Sequence, residues 1–110
     1  MSVMHRELAS GRWDQLSLIE QMANIGSEVE RTLNWKEKNN PDQSMKAFER
    51  ALELFDLTLE SSHQGCRLRE IARAREVFVA NFLNKDDDKS TKNYLRKYFL
   101  EFAVAARKGI

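Results

Sequence analysis

Residues 38–59 read KNNPDQSMKAFERALELFDLTL, and this stretch decides the fold. A proline at the first helical position, preceded by an asparagine cap, is typical of a helix start. It predicts that a helix begins at Pro41 with Asn40 as its cap. Apolar residues then recur at steps of three and four, which is the spacing of a bundle seam. The seam consists of Met45, Phe48, Leu52, Phe55 and Leu59, and it predicts a core-facing helix over about 41–60.

The same helical period precedes this stretch. Apolar residues spaced by three and four keep one helix face turned inward, and here they predict a long first helix over about 13–38. Its first turns are expected to project beyond the bundle and to expose Trp13 and Leu16 as an oligomerisation surface. Gly26 weakens a helix interior by about 1 kcal/mol relative to Ala, so we expect it to allow close approach of a neighbouring helix, with a local bend as the alternative. The predicted core stripe is Leu18, Met22, Ile25, Val29 and Leu33.

Two further helices are predicted after residue 60. The third covers about 67–83 and the fourth about 91–108, with Ser90 as a cap and Gly109 in the position that follows a helix end. Four helices joined by short loops predict an all-α, up-down-up-down four-helix bundle that forms one domain over 1–110. The expected core residues of these two helices are Leu68, Ile71, Ala72, Phe78, Val79, Phe82, Leu95, Phe99, Phe102 and Ala106.

The composition favours helices over strands, and it excludes internal disulfides and membrane spans. The chain has 110 residues with only four Gly and one Pro, too few for the turns of a many-stranded fold. Cys66 is the single cysteine, which excludes an internal disulfide and fits a reducing cytoplasm. No apolar run is long enough for a membrane span. The charged residues around His5 replace the apolar stretch of a secretory signal, so we expect a cytoplasmic protein that does not contact membranes.

No pattern of catalytic or metal-binding residues is recognisable. The only histidines, His5 and His63, lack the Glu-x-x-His spacing of di-iron bundles. The acidic run 86–88 lacks the Gly and Glu that a calcium loop needs at its sixth and twelfth positions. No Gly-rich phosphate loop or nucleophile motif occurs in the chain. We therefore expect no enzyme activity, no cofactor and no metal.

Charge is distributed unevenly along the chain. Residues 1–65 carry 7 Lys/Arg and 11 Asp/Glu, whereas residues 66–110 carry 11 Lys/Arg and 6 Asp/Glu. This polarity indicates either a self-complementary or polar partner surface or two halves that neutralise each other within the bundle.

Two sets of polar residues are candidate binding surfaces. The first is a stripe on the first helix, which could form a partner or ligand site or could consist of ordinary surface pairs, with Arg31 bound to Ser27 or Glu28. The second is a basic face of the third and fourth helices, which could bind nucleic acid with Tyr94 and Tyr98 stacking on bases or could be ordinary solvated charge. The stripe is Glu20, Asn24, Ser27, Glu28 and Arg31, and the basic face is Arg69, Arg73, Lys92, Arg96 and Lys97.

The segment 24–31 reads NIGSEVER and resembles the first helix of the ribosomal-RNA intervening-sequence proteins. That family shows Asn-Ile-Ala-Glu-Gly, with an Arg seven residues after the Asn. Asn24, Ile25 and Arg31 match this spacing and Gly26 stands for the Ala, whereas the Glu comes one place late and the family's Gly is missing. The resemblance implies a four-helix bundle that assembles into a ring, without an established activity.

Related bundles are thought to bind nucleic acid through a basic surface, and the resemblance would assign that role to Arg69, Arg73 and Arg96. The helix count is also similar to that of the nucleotidyltransferase-associated bundles. Nuclease members of that group have a His a few residues after an Arg, and neither His5 nor His63 shows that spacing.

Three functions remain open at this point. The first is a non-enzymatic interaction module that self-associates or binds a protein partner. The second is a nucleic-acid-binding bundle that uses the basic face. The third is a small-ligand site between the first and second helices around Glu20, Asn24 and Glu28.

Overall fold

The computed structural model describes residues 11–84 and 89–109, with only the backbone described for 62–64. Within these ranges the chain forms four α-helices and no strand, which confirms the all-α, up-down-up-down four-helix bundle. A short 3₁₀ turn precedes the first helix, and a 3₁₀ segment, Ser62–Arg67, joins the second to the third. The helices are α1 (Leu18–Glu37), α2 (Pro41–Glu60), α3 (Leu68–Leu83) and α4 (Lys89–Arg107).

The start of α1 differs from the prediction. Ser17 caps the helix by accepting a hydrogen bond from the Glu20 N–H, and the Glu20 carboxylate accepts one from the Ser17 N–H. This reciprocal capping box fixes the N-terminus of α1 at Ser17. The residues before it form a separate turn, Trp13–Gln15. That turn folds back onto the bundle instead of projecting from it.

Trp13 consequently lies in the core. Its side chain is only 2% exposed, and its indole N–H donates to Thr58 Oγ1 at 2.9 Å. Gln21 fixes the same turn by donating its amide N–H to the Trp13 carbonyl at 2.9 Å. Leu16 packs partly buried against the core. The predicted oligomerisation surface at Trp13 and Leu16 is therefore wrong, because these side chains cover one end of the core.

The other helix ends follow local chemistry. Asn40 caps α2 by accepting from the Gln43 N–H at 3.1 Å, and Pro41 is the first helical residue, as predicted. Gly109 has a φ of +72° just after α4, as predicted for a residue that follows a helix end. Ser90 lies inside α4, which begins one residue earlier at Lys89.

The last carbonyls of α3 are satisfied from a distant part of the chain. Lys36, near the end of α1, donates its ammonium to the carbonyls of Asn81 at 2.8 Å, Phe82 at 3.0 Å and Asn84 at 3.3 Å. A cation at the negative end of a helix dipole is also electrostatically favourable. Lys36 therefore ties α1 to the end of α3.

Helix α1 packs closely against both α2 and α4 because small residues lie at the contacts. Ala47 and Ala51 are fully buried on α2, and Gly26 faces Phe99 of α4. The predicted stripe of α1 is confirmed for Met22, Ile25, Val29 and Leu33, all at most 1% exposed. On α2 the buried face is rotated from the predicted seam, since Met45 is 44% exposed and Ser44 is buried.

Helix α3 makes fewer close backbone contacts with α2 and α4 than α1 makes with the same two helices. Phenylalanine rings fill the space between α2 and α3: Phe48 lies 5.2 Å from Phe78 and stacks on Phe82 at 3.9 Å between ring centroids. Ile71, Ala74 and Phe78 are buried, whereas Leu68, predicted as core, is 45% exposed.

The acidic and basic halves of the chain neutralise each other in part. Arg96 of α4 donates to the carboxylates of Glu30 and Glu37 on α1, and Arg75 of α3 lies 3.0 Å from Asp56 of α2. The polarity seen along the sequence is thus partly used within the bundle. None of the described helices combines the length and the apolar character that a membrane crossing requires.

Candidate interaction groove

An open groove runs between α1 and α4. Its cavity volume is about 410 Å³, and its floor is formed by the buried side chains of Val29, Leu95 and Phe99. Leu100 stands at its edge with 57% of its surface exposed. We call this feature the α1–α4 groove; its remaining lining residues are Ala23, Gly26, Ser27, Glu30, Arg31, Arg96 and Ala103.

Small side chains make the surface concave. A Cβ on Gly26 would lie 2.8 Å from the Cβ of Phe99, so only glycine allows the two helices to approach this closely. Ala23 and Ala103 extend the shallow region on either side. The prediction that Gly26 permits close helix approach is confirmed, and the neighbouring helix is α4.

The polar residues at the edges of the groove already have partners in the bundle. Ser27 donates its hydroxyl to the Ala23 carbonyl at 3.3 Å. Arg31 donates to Glu28 at 2.7 Å, which is one of the local pairs predicted for it. Arg96 donates from Nε to both oxygens of Glu30 at 3.1 Å.

The Arg96 guanidinium is held in its charged form by its two carboxylate partners. Burial lowers the pKa of the Arg96 guanidinium, but the hydrogen bonds and charges of Glu37 and Glu30 outweigh that effect and raise the pKa above its ordinary value. These ion pairs therefore hold α4 against α1 beside the groove.

The predicted polar stripe of α1 is divided between two sides of the helix. Ser27 and Arg31 line the α1–α4 groove, whereas Glu28 is 8% exposed and lies 3.1 Å from Arg50 of α2. Glu20 belongs to the capping box, and Asn24 donates its side-chain amide to the Glu20 carbonyl at 2.8 Å. Glu20, Asn24 and Glu28 therefore form hydrogen bonds within α1 or to α2, and they do not line the α1–α4 groove.

The predicted basic face is not assembled as one exposed surface. Arg69 and Arg73 are exposed on α3, and Lys97 is exposed on α4. Lys92, however, is only 6% exposed, and Arg96 points to the carboxylates of α1. The physical reason is that positions 92, 95, 96 and 99 share the inward side of α4, which a count of charges along the sequence does not reveal.

The two tyrosines of α4 are partly committed to the bundle. Their rings stack with centroids 6.1 Å apart, and the Tyr98 hydroxyl donates to Glu70 of α3 at 2.7 Å. Burial and the hydrogen bond to the Glu70 carboxylate raise the pKa of Tyr98 well above its ordinary value. Tyr94 is 43% exposed, so it alone of the pair retains a largely open ring.

A second cavity of about 410 Å³ lies at the end of the bundle where α1 turns into α2. Lys36, Pro41, Met45 and Phe82 are among its lining residues. Lys36 is engaged there with the carbonyls of α3. The cavity is therefore built around a helix-end contact.

Within the described ranges, no group of three or more His, Cys, Asp or Glu residues is arranged so that it could hold a metal ion. His5 and the acidic run 86–88 lie outside the described residues, as does the side chain of His63. Cys66 is exposed and unbridged.

Small residues on α1 indicate the groove in the sequence, but the predicted core stripe was based on the large apolar residues of that helix. Ala23, Gly26 and Ser27 are small residues at steps of three and one, a spacing that places all three on one side of α1. Leu100 is one residue past Phe99, so it falls beside the core stripe of α4. Together these positions mark a shallow, apolar face.

The fold and site define a four-helix bundle with an open apolar groove between its first and last helices. Comparison with protein-family models, curated proteins and solved structures returned no match to the chain.

Proposed function

We propose that this chain is a non-enzymatic interaction module that binds apolar side chains of a protein partner in the α1–α4 groove. The observation that carries this proposal is the combination of a buried apolar floor, Val29, Leu95 and Phe99, with the exposed Leu100 at the edge. Val29, Leu95 and Phe99 are already at most 4% exposed, so Leu100 supplies most of the apolar surface that a partner can still remove from water, at roughly 25 cal/mol per Å².

The chemistry of the groove favours a protein partner over a small polar ligand. Small-molecule sites combine an apolar cavity with a few convergent polar groups that orient the ligand. Here Ser27, Arg31 and Arg96 are bound to groups of the bundle itself. A shallow groove between two helices with charged edges suits the apolar residues of a docking helix.

Nucleic-acid binding has less support as a function. Such binding depends on clustered cations that contact phosphates. Lys92 is buried and Arg96 is paired with two carboxylates, which leaves Arg69, Arg73 and Lys97 as the exposed members of the predicted face.

We also propose that the protein works in the cytoplasm. Cys66 is exposed and forms no disulfide, and an exposed thiol is most stable in a reducing compartment.

Site-specific photo-crosslinking tests the proposed docking site. A photoreactive amino acid is placed at position 100 or, as the matched control, at position 83, in cells that naturally make the protein. Leu83 is 69% exposed on α3, outside the α1–α4 groove. We expect a discrete adduct from position 100 and none from position 83. Equal labelling from both positions, or no adduct at position 100, would contradict the proposal.

A further inference from the structure

We infer that the protein partner in the α1–α4 groove is a second copy of this chain, bound in a two-fold symmetric dimer. In this arrangement Leu100 of each copy enters the groove of the other. The inference rests on the proposed function and specifies the identity of the partner.

The groove presents both halves of a self-complementary contact on one face. A two-fold interface uses the same patch on both subunits, so that patch must contain a projection and a recess that fit each other. Leu100 is the projection, since it is 57% exposed. The recess lies beside it, between the small side chains of Ala23 and Ala103.

The charges at the edges are also balanced in the way that a second copy requires. The Arg31 side chain is 58% exposed and the Glu30 side chain is 47% exposed, so each groove shows a cation and an anion to its surroundings. A partner of one sign would leave like charges facing each other, which weakens binding. In a two-fold dimer, Arg31 of one copy approaches Glu30 of the other through the exposed parts of both side chains, which their ion pairs with Glu28 and Arg96 leave uncovered.

The available area predicts a weak dimer. A helix of about 20 residues is roughly 30 Å long, and two helices packed side by side are about 20 Å wide. The α1–α4 face thus offers on the order of 600 Å² per copy, or about 1,200 Å² in total, which is the lower limit for specific interfaces. A concentration-dependent equilibrium in the micromolar range is therefore expected.

Sedimentation velocity on the full chain at about 2 to 200 μM tests this inference. We expect the wild-type protein to shift from monomer to dimer across the range. Leu100→Glu places a charge in the apolar contact and should remain monomeric throughout. Leu100→Ala, which removes apolar surface from both copies without adding charge, should weaken dimerisation about a hundredfold. Leu83→Glu alters a more exposed leucine outside the groove and should dimerise like the wild type.

A cross-copy disulfide provides a second, positional measurement. In a Cys66→Ser background, protein with Leu100→Cys is mixed with protein carrying Ser27→Cys under oxidising conditions. Both positions line the groove, so we expect the mixed disulfide to form faster than either same-variant disulfide. This readout does not depend on whether Leu100→Glu retains its stability.

A wild-type chain that stays monomeric at 200 μM would overturn the inference, as would Leu100→Glu protein that dimerises normally. The photo-crosslinked adduct separates this failure from that of the proposed function. An adduct at position 100 with twice the mass of the chain supports the dimer. An adduct with a different protein would leave the docking site in place and exclude the second copy as its occupant.

Discussion

A Cβ atom added to Gly26 would lie 2.8 Å from the Cβ of Phe99, closer than side chains of neighbouring helices normally approach. Phe99 cannot relieve this contact by rotating its ring, because its Cβ is fixed to the α4 backbone. The separation of α1 and α4 is thus set by the absence of a side chain at position 26.

Gly26→Ala is therefore expected to destabilise the protein despite its better helix propensity. Alanine gains about 1 kcal/mol over glycine in a helix interior, whereas overpacking a contact costs about 1–3 kcal/mol. We expect a net loss of about 1 kcal/mol in the free energy of unfolding, measured by urea denaturation. Ser27→Ala, at the next and exposed position of α1, is the matched control and should be neutral or slightly stabilising.

Trp13→Phe should destabilise the end of the bundle that Trp13 covers. Phenylalanine retains an aromatic ring but cannot donate to Thr58, whose hydroxyl is buried. Leaving such a group without its partner costs about 1–3 kcal/mol. A double-mutant cycle with Thr58→Val measures the coupling, and additive effects of the two substitutions would show that the hydrogen bond contributes nothing.

Ser17→Ala should shorten α1 and lower the free energy of unfolding by about 1 kcal/mol, as is typical of a lost helix cap. Glu20→Gln keeps an oxygen that can accept from the Ser17 N–H, so its effect should be smaller. Urea denaturation of both variants gives the comparison. The prediction fails if Glu20→Gln is as damaging as Ser17→Ala.

The Glu28 ion pairs should differ in value according to their exposure. Arg50 pairs with Glu28 across α1 and α2 and its side chain is 31% exposed, whereas that of Arg31 is 58% exposed. We expect Arg50→Ala to cost about 1 kcal/mol and Arg31→Ala less than about 0.5 kcal/mol, because exposed pairs contribute little. Thermal denaturation ranks the two, and a larger effect for Arg31→Ala would contradict the assignment.

The raised pKa of Tyr98 predicts a loss of stability at alkaline pH. The folded protein holds the phenolic proton more tightly than the unfolded chain, whose tyrosines ionise near pH 10. This contribution is fully present below about pH 10 and declines as pH rises above it. Ultraviolet titration should show a late phase of tyrosine ionisation, and Tyr98→Phe should remove that late phase.

Features determined by neighbouring residues were predictable from the sequence. Asn40 and Pro41 fix the start of α2 through a side-chain cap and a missing N–H, and both effects are local. The same kind of signal was present in Ser17 and Glu20, but the apolar period continued back to Trp13 and extended the predicted helix too far. The capping box, which acts within one turn, overrides that periodicity.

Features that depend on which helices become neighbours were less accessible. The seam predicted for α2 included Met45, which is exposed. The buried face includes Ser44, Ala47 and Ala51 instead, and their small side chains let α1 approach. The predicted basic face likewise counted Arg96 among the surface cations of the third and fourth helices. Its partners Glu30 and Glu37 precede it by about 60 residues in the chain, a pairing that only the tertiary structure establishes.

The aromatic spacing between α2 and α3 has a consequence for local opening. Because rings such as Phe48 and Phe78 separate these helices, α3 has fewer close backbone neighbours than α1. A helix held mainly at its side chains can detach while the others remain packed. In hydrogen–deuterium exchange, the interior amides of α3 should thus lose protection before those of α1.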